Sequence, residues 1–352
     1  GAPSKKILKK PRSRKKFSEP ILTLKEGDEK MLSLEEIRQA QDRIKAWIHR
    51  TPIFSSATFS QIAGNEVYLK AENLQKSGAF KFRGAMNFML SMSEEERCKG
   101  VVTGSSGNHG QALACAAKIL GVKAVVVVPE DVSPAKLAAI EGYGAAIERC
   151  GHSSTERIAR AMEIAELEGM TFVPPFDHPW IMAGQGTAGL EIVEDMPDVD
   201  AVLVPCGGCG LISGVATALK ESLKGVKVFG VEPEGSNSTY LSFKAGHIVE
   251  LTDINTIADG LRTANPGKIT FPVVQKYVDD ILLVSEEEIK NAVVLLLERA
   301  KLLVEPSGAV PVAALLYGKV PLKNKKVVAL MSGGNVDLSL LGKWIEEVKA
   351  KK

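Results

Sequence analysis

The sequence predicts an α/β protein built on twisted parallel sheets flanked by helices. Three observations carry this. Between residues 100 and 173, short aliphatic runs alternate with helical stretches as βαβαβαβ, an order that calls for parallel strands joined by right-handed crossovers. The run Ala-Val-Val-Val-Val at 124–128 is unbroken aliphatic, as expected of a strand buried on both faces. The alternation then resumes on a larger scale from 201 to 331. At 352 residues the chain exceeds what one core usually supports, so two domains are expected.

In order, a helix is expected over 34–49, with Ser33 as N-cap and Glu35 and Glu36 in its first turn. Thr51-Pro52 ends it. A strand at 66–71 leads to a helix over 80–92. The compact stretch that follows places strands at 100–103, 124–128, 146–147 and 171–173, with helices at 111–120, 134–141 and 155–168. Beyond it come strands at 201–205, 226–231, 281–284 and 327–331, with helices at 211–223 and 286–303. The expected division is a basic, disordered tail at 1–33, a larger domain from 34–99 and 178–349, and a smaller one at 100–177.

Hydrophobic content of 45% with 24% charged residues is ordinary for a soluble globular protein. No apolar run approaches the ~20 residues a membrane helix needs. Residues 1–16 hold eight Lys or Arg and no acid, so a whole-chain charge of +2 leaves −6 on the remainder. A mildly acidic body argues against nucleic acid as the partner. The tail reads as a solvated charge run, with nuclear or organelle targeting as alternatives. Five cysteines, most of them in apolar segments, suit a reducing compartment such as the cytoplasm. Cys206 and Cys209 form a lone CxxC, short of the second pair a zinc site would want.

Four stretches could carry chemistry. Lys81 lies between Phe80 and Phe82, and apolar neighbours depress an amine's pKa and leave part of it neutral and nucleophilic. Alone, that stretch reads more readily as a lysine at a helix start. Ser105-Ser106-Gly107-Asn108-His109-Gly110 sits between a strand and a helix, where backbone N–H groups converge on an anion; a capped strand-to-helix turn would look similar. Cys206-Gly207-Gly208-Cys209-Gly210-Leu211 repeats the arrangement. A dinucleotide site there would need glycine at 213, which is Ser213, so a nicotinamide enzyme fits poorly. Ser332-Gly333-Gly334-Asn335 ends the last strand. Asp259-Gly260-Leu261-Arg262 and Glu305-Pro306-Ser307-Gly308 read equally as functional loops or as a turn and a helix stop.

Together, SGAFKFRGA around Lys81, SSGNHGQ at 105–111, AGQGTAGLEI at 183–192, GGCGLISG at 207–214, IADGLRT at 257–263 and SGGN at 332–335 resemble fold-type II pyridoxal-phosphate enzymes. The resemblance is strongest to the threonine/serine dehydratase and serine racemase branch and covers roughly residues 35–345. It implies a two-domain, tryptophan synthase β-like fold and a PLP-dependent lyase. Such an enzyme would turn L-threonine or L-serine into 2-oxobutanoate or pyruvate plus ammonia. A serine racemase and a 3-hydroxyaspartate dehydratase are the alternatives. Outside the family, a nicotinamide oxidoreductase and a binding protein without chemistry remain to be tested.

The resemblance also assigns roles. Lys81 would hold the cofactor covalently and abstract the α-proton; Phe80 would wall the ring and Asn108 would bond its hydroxyl. Gly207, Gly208, Cys209, Gly210 and Leu211 would cradle the phosphate, and Ser332 would face the ring nitrogen. Ser105, Ser106, Asn108, His109 and Arg157 would bind substrate, and Ser106 could also reprotonate the opposite face, as racemisation requires. Cys209 departs from the family's usual glycine. Glu232 is the one expected metal ligand, because Ser236 and Ser238 stand where a second acid would be, so Mg or Mn activation is not expected. A homodimer is the family's usual state.

Overall fold

The computed structural model describes residues 31–351; the basic run at 1–16, with every expectation placed on it, lies outside the described residues. Among the described residues, ten strands form two sheets. They are Ile53–Ser55 (β1), Glu66–Ala71 (β2), Val101–Thr103 (β3), Ala124–Val128 (β4), Ala146–Arg149 (β5), Thr171–Phe172 (β6), Ala201–Pro205 (β7), Lys227–Pro233 (β8), Asp280–Val284 (β9) and Lys326–Met331 (β10). The larger sheet runs β1-β2-β10-β7-β8-β9 and the smaller β5-β4-β3-β6. Every pairing is parallel except β1 with β2. That is the α/β architecture the alternation predicts.

Both faces of the larger sheet are buried. Ala201 and Leu203 of β7 enter one apolar core, while Val202 and Val204 enter the other. A strand covered on both sides gains by being aliphatic at every position, which is why β4 and β7 lack a polar alternation. The neighbours β2, β10 and β7 are parallel, so their carboxyl ends lie side by side, where open α/β sheets bind ligands. The Lys81 loop, the SGGN turn and the GGCG turn all leave from that edge.

Helix Pro179–Asp195, which the sequence pattern does not predict, sets the spacing between the first and last of these loops. Its glycines lower its helix propensity, yet they are points of close approach. A Cβ on Gly184 would sit 2.7 Å from the Arg83 carbonyl oxygen, and one on Gly214 of the facing helix 2.3 Å from that of Met182. Tertiary packing here overrides poor helix propensity.

Two expected helices end early. The first stops at Ile44, where the Trp47 amide turns back only three residues to the Ile44 carbonyl and tightens the last turn. The Trp47 and Ile48 side chains then pack against the core beneath the Lys81 helix. The helix expected over 286–303 is α-helical only for Glu286–Leu295. A π-helical turn, Leu296–Ala300, follows and ends at Lys301, whose φ of 60° no α-helix continues.

A buried cluster of four charges ties these pieces together. Arg83, two residues past Lys81, donates to Glu72 at 2.8 and 2.7 Å and to Glu191 at 2.7 and 2.8 Å. Lys70 of β2 pairs with Glu191 at 2.5 Å. All four side chains are buried. Breaking such a cluster on one side strands an uncompensated charge. Glu191→Ala is therefore expected to lower stability by about 3–5 kcal/mol, read from the urea midpoint at unchanged slope. A loss under about 1 kcal/mol, the worth of a surface pair, would show that the four charges do not act as a unit.

Candidate active site

Lys81 opens helix Lys81–Ser91, and its position is fixed from both sides. Upstream, the Phe80 amide donates to the Ser332 carbonyl at 3.0 Å and the Gly334 amide to that of Gly78 at 2.9 Å, so the loop is zipped to the SGGN turn. Downstream, Arg83 anchors the helix in the charge cluster. The Lys81 amine donates to the Pro175 carbonyl at 2.5 Å and lies 5.3 Å from the Phe80 ring centroid. Burial pulls its pKa from 10.5 down to about 8. A share of it is therefore a neutral nucleophile near neutral pH.

Two helix N-termini flank the lysine. Asn108–Leu120 starts after β3 and Gly210–Ser222 after β7, and no side chain caps either one. Their leading amides, with the positive end of each helix dipole, suit anionic groups. In the second loop a Cβ on Gly208 would lie 2.3 Å from the Phe176 ring, so the loop is packed against that aromatic face. Cys209 takes φ 70°, the left-handed conformation that favours glycine. Its thiol meets the Gly207 carbonyl at 3.4 Å and the Thr239 hydroxyl at 3.2 Å, which holds the loop in this shape. Cys206 and Cys209 are both free and buried, as an unoxidised structural pair.

The sequence-predicted residues are brought together unevenly. Asn108 donates to Glu305 at 2.6 Å and accepts from Asn335 at 2.8 Å. Ser332 is buried at the end of β10. Ser106 and Gly107 form the bend just ahead of the first helix terminus, and Ser105 leads into it. His109 is buried, with Nε2 3.0 Å from the Val173 carbonyl. A carbonyl only accepts, so Nε2 carries the hydrogen. Burial, aided by the nearby Lys81 charge, pulls the imidazole down to about 3 and keeps it neutral. Its Nδ1 finds no hydrogen-bond partner among the described residues. Only the His109 backbone N–H, not its ring, is left to donate to a carboxylate.

The Arg157 guanidinium bonds to the His152 carbonyl and the Ser154 hydroxyl, both at 3.2 Å, its Nε has no partner among the described residues, and its backbone abuts Gly104 just ahead of Ser105. Glu232 is buried at the end of β8 and accepts from the Thr239 and Tyr240 amides at 3.0 and 2.7 Å. Burial nonetheless pushes its pKa up to about 8. Among the described residues, no group of three His, Cys, Asp or Glu side chains is placed to hold a metal ion.

Some members escape the sequence pattern. Glu305 does not end a helix; it precedes helix Pro306–Leu316, and Pro306 opens that helix. Burial pushes its carboxyl up to about 7, against the hydrogen bond from Asn108. Asp177 takes the amides of Lys268, Ile269 and Thr270 at 2.9, 2.9 and 3.2 Å. It thereby fixes the segment that carries both Pro175 and Phe176. The only sequence signal for Glu305 is an acid set directly before an apolar helix.

A buried amine with a lowered pKa, between two uncapped helix termini and a glycine cradle, fits a phosphorylated aldehyde. The family profile described as "Pyridoxal-phosphate dependent enzyme" matches residues 44–333. The chain belongs to this family. It is 46% identical to an L-threonine ammonia-lyase of Geobacter sulfurreducens, over 90% of this chain and 79% of that protein. It is also 46% identical to a serine racemase of Dictyostelium discoideum, over 89% of this chain and 97% of that one. Among solved structures, maize serine racemase superposes with a TM-score of 0.86 at 37% identity, covering 92% of this chain and 99% of that chain. In this PLP-dependent family the shared fold positions the cofactor, and the side chains around it decide the reaction.

The lysine's titration gives a direct check. Folding lowers its pKa, so the neutral fraction rises with pH through about 8. Capture of pyridoxal phosphate by the cofactor-free protein, followed by stopped-flow absorbance, is expected to accelerate with pH around that midpoint. A midpoint at the unperturbed 10.5 would contradict the assignment.

Proposed function

We propose that this protein is a threonine/serine ammonia-lyase, releasing ammonia and a 2-oxo acid from L-threonine or L-serine by α,β-elimination. The observation that carries this reading is the Lys81 amine, partly neutral and held between the Phe80 ring and the Pro175 carbonyl. Lys81 takes the α-proton of the substrate as general base. Pyridoxal phosphate, when bound, supplies the electron sink for the resulting carbanion. Residues 207–211 would hold its phosphate through backbone amides, Asn108 and Ser332 would meet its ring, and the turn at 105–109 would hold the substrate carboxylate. Ser332 offers a neutral hydroxyl where a carboxylate would stabilise the carbanion for longer, and a short-lived carbanion suits elimination.

Serine racemisation is the second reading, favoured by Ser106, a hydroxyl at the mouth of the first helix terminus that can return a proton to the α-carbon. The site is read as part of a homodimer in a reducing, cytoplasmic setting, consistent with five free cysteines. Residues 100–177 are read as the smaller domain, around the four-stranded sheet. No metal role is assigned, since both Glu232 oxygens accept hydrogen bonds from backbone amides.

With L-serine, pyruvate is expected in excess over D-serine when both are quantified in one sample. Lys81→Ala should lower both products about a hundredfold or more. Ser106→Ala should remove D-serine and leave pyruvate little changed. D-serine as the main product, lost in Ser106→Ala, would make the protein a racemase instead.

A further inference from the structure

Asn108 is held at both ends of its amide by residues from distant parts of the chain. Its Nδ2 donates to Glu305 at 2.6 Å, and its Oδ1 accepts from Asn335 Nδ2 at 2.8 Å. The same Asn335 nitrogen donates to the Ser77 carbonyl at 2.7 Å. That carbonyl is a backbone acceptor and cannot donate, so the atom facing it must be the amide nitrogen of Asn335. It follows that Asn108 turns its oxygen toward Asn335 and its nitrogen toward Glu305. The direction of the whole chain of bonds is set from the Ser77 end.

The backbone around this relay is cut to admit it. Gly78, at φ 78°, would place a Cβ 2.4 Å from the Asn335 Oδ1, and Gly333 would place one 2.4 Å from the Glu305 Oε1. The Glu305 amide also donates to the Gly333 carbonyl at 3.0 Å, fastening the carboxylate to the SGGN turn. Side chains at either glycine would expel one end of the relay.

We propose that Asn335 and Glu305 are positioning residues that fix the Asn108 amide with its nitrogen edge as the spare donor, so that it meets the ring oxygen of the cofactor as an anion. The inference rests on the proposed role of Asn108 in holding pyridoxal phosphate. A donor there favours the deprotonated ring oxygen, whereas a flipped amide would present a carbonyl and favour the protonated one. Serine, alanine or aspartate at 335 could close the same turn, but none can donate to two carbonyl oxygens at once.

Asn335→Asp is nearly isosteric, lies on an exposed side chain and replaces the donor by an acceptor. The variant is expected to lose about tenfold or more in affinity for pyridoxal phosphate, the worth of one hydrogen bond to a charged group. Its bound cofactor should shift from the yellow, ring-deprotonated form toward the colourless one, at a melting temperature of the cofactor-free protein close to wild type. Asn335→Ala should show the same colour shift to a smaller extent. Glu305→Gln, which can still accept from Asn108, should keep both affinity and colour. Wild-type affinity and spectrum in both Asn335 variants would overturn the proposal, even with the elimination reaction intact. Failure of the wild-type protein itself to bind the cofactor would instead sink the reading on which it rests.

Discussion

Four charges buried out of reach of solvent hold Lys81 where it is. Arg83, Glu72, Glu191 and Lys70 sum to zero, and their geometry is bidentate at the guanidinium, so the cost of desolvation is offset within the cluster. The titration directions agree. Burial, the largest single effect, would raise Glu72, but the Arg83 charge and hydrogen bonds, the Lys70 charge and the Thr51 hydroxyl together hold the carboxyl below its ordinary value. For Lys70 burial outweighs the pull of Glu191 and Glu72, so its pKa is lowered. Burial opposes the Arg83 charge too, yet Glu72 and Glu191 keep it firmly protonated. Each member comes from a different element: β2, the turn after it, the Lys81 helix and helix Pro179–Asp195. A shift of any one of them would separate the cluster.

From that anchor the rest of the site follows by contact. The Lys81 helix and the helix behind the glycine turn both press on Pro179–Asp195 through glycines, which brings an amine and an uncapped helix N-terminus to one edge of the sheet. Asp177 then fastens the segment bearing Pro175 and Phe176 to the amides at 268–270, and Thr270 bonds the Gly208 carbonyl at 2.7 Å. The lysine's acceptor and the cradle's aromatic cover thus move as one piece. Rigid support of this kind keeps a reactive amine aligned with the group it attacks.

Much of this was legible in the chain. Aliphatic runs such as 124–128 and 201–205 mark buried strands because they are short, valine-rich and flanked by turn residues. The glycine- and serine-rich turns at 105–110 and 206–211 follow strands and precede helices, so their amides had to converge. What escaped depends on long-range pairing. Helix Pro179–Asp195 is hidden because Gly184, Gly186 and Gly189 lower its propensity, and only the facing backbones explain them. Glu305 reads equally as a functional loop or a helix stop because its partner, Asn108, is distant in sequence. Arg157 and the His109 ring carry polar groups whose bonding directions no spacing reveals. Glu232 resembles a ligand by type and position, but its oxygens lie against the start of helix Ser238–Ala245.

The account stands on Lys81 being the one amine that the fold has prepared for the cofactor, though Lys70 is also buried and Lys76 lies nearby. Reducing the pyridoxal phosphate complex with borohydride, digesting it and locating the modified peptide by mass spectrometry tests this most directly. The label is expected on Lys81 alone, at one per chain. A label on Lys70, Lys76 or scattered over surface lysines would contradict the account.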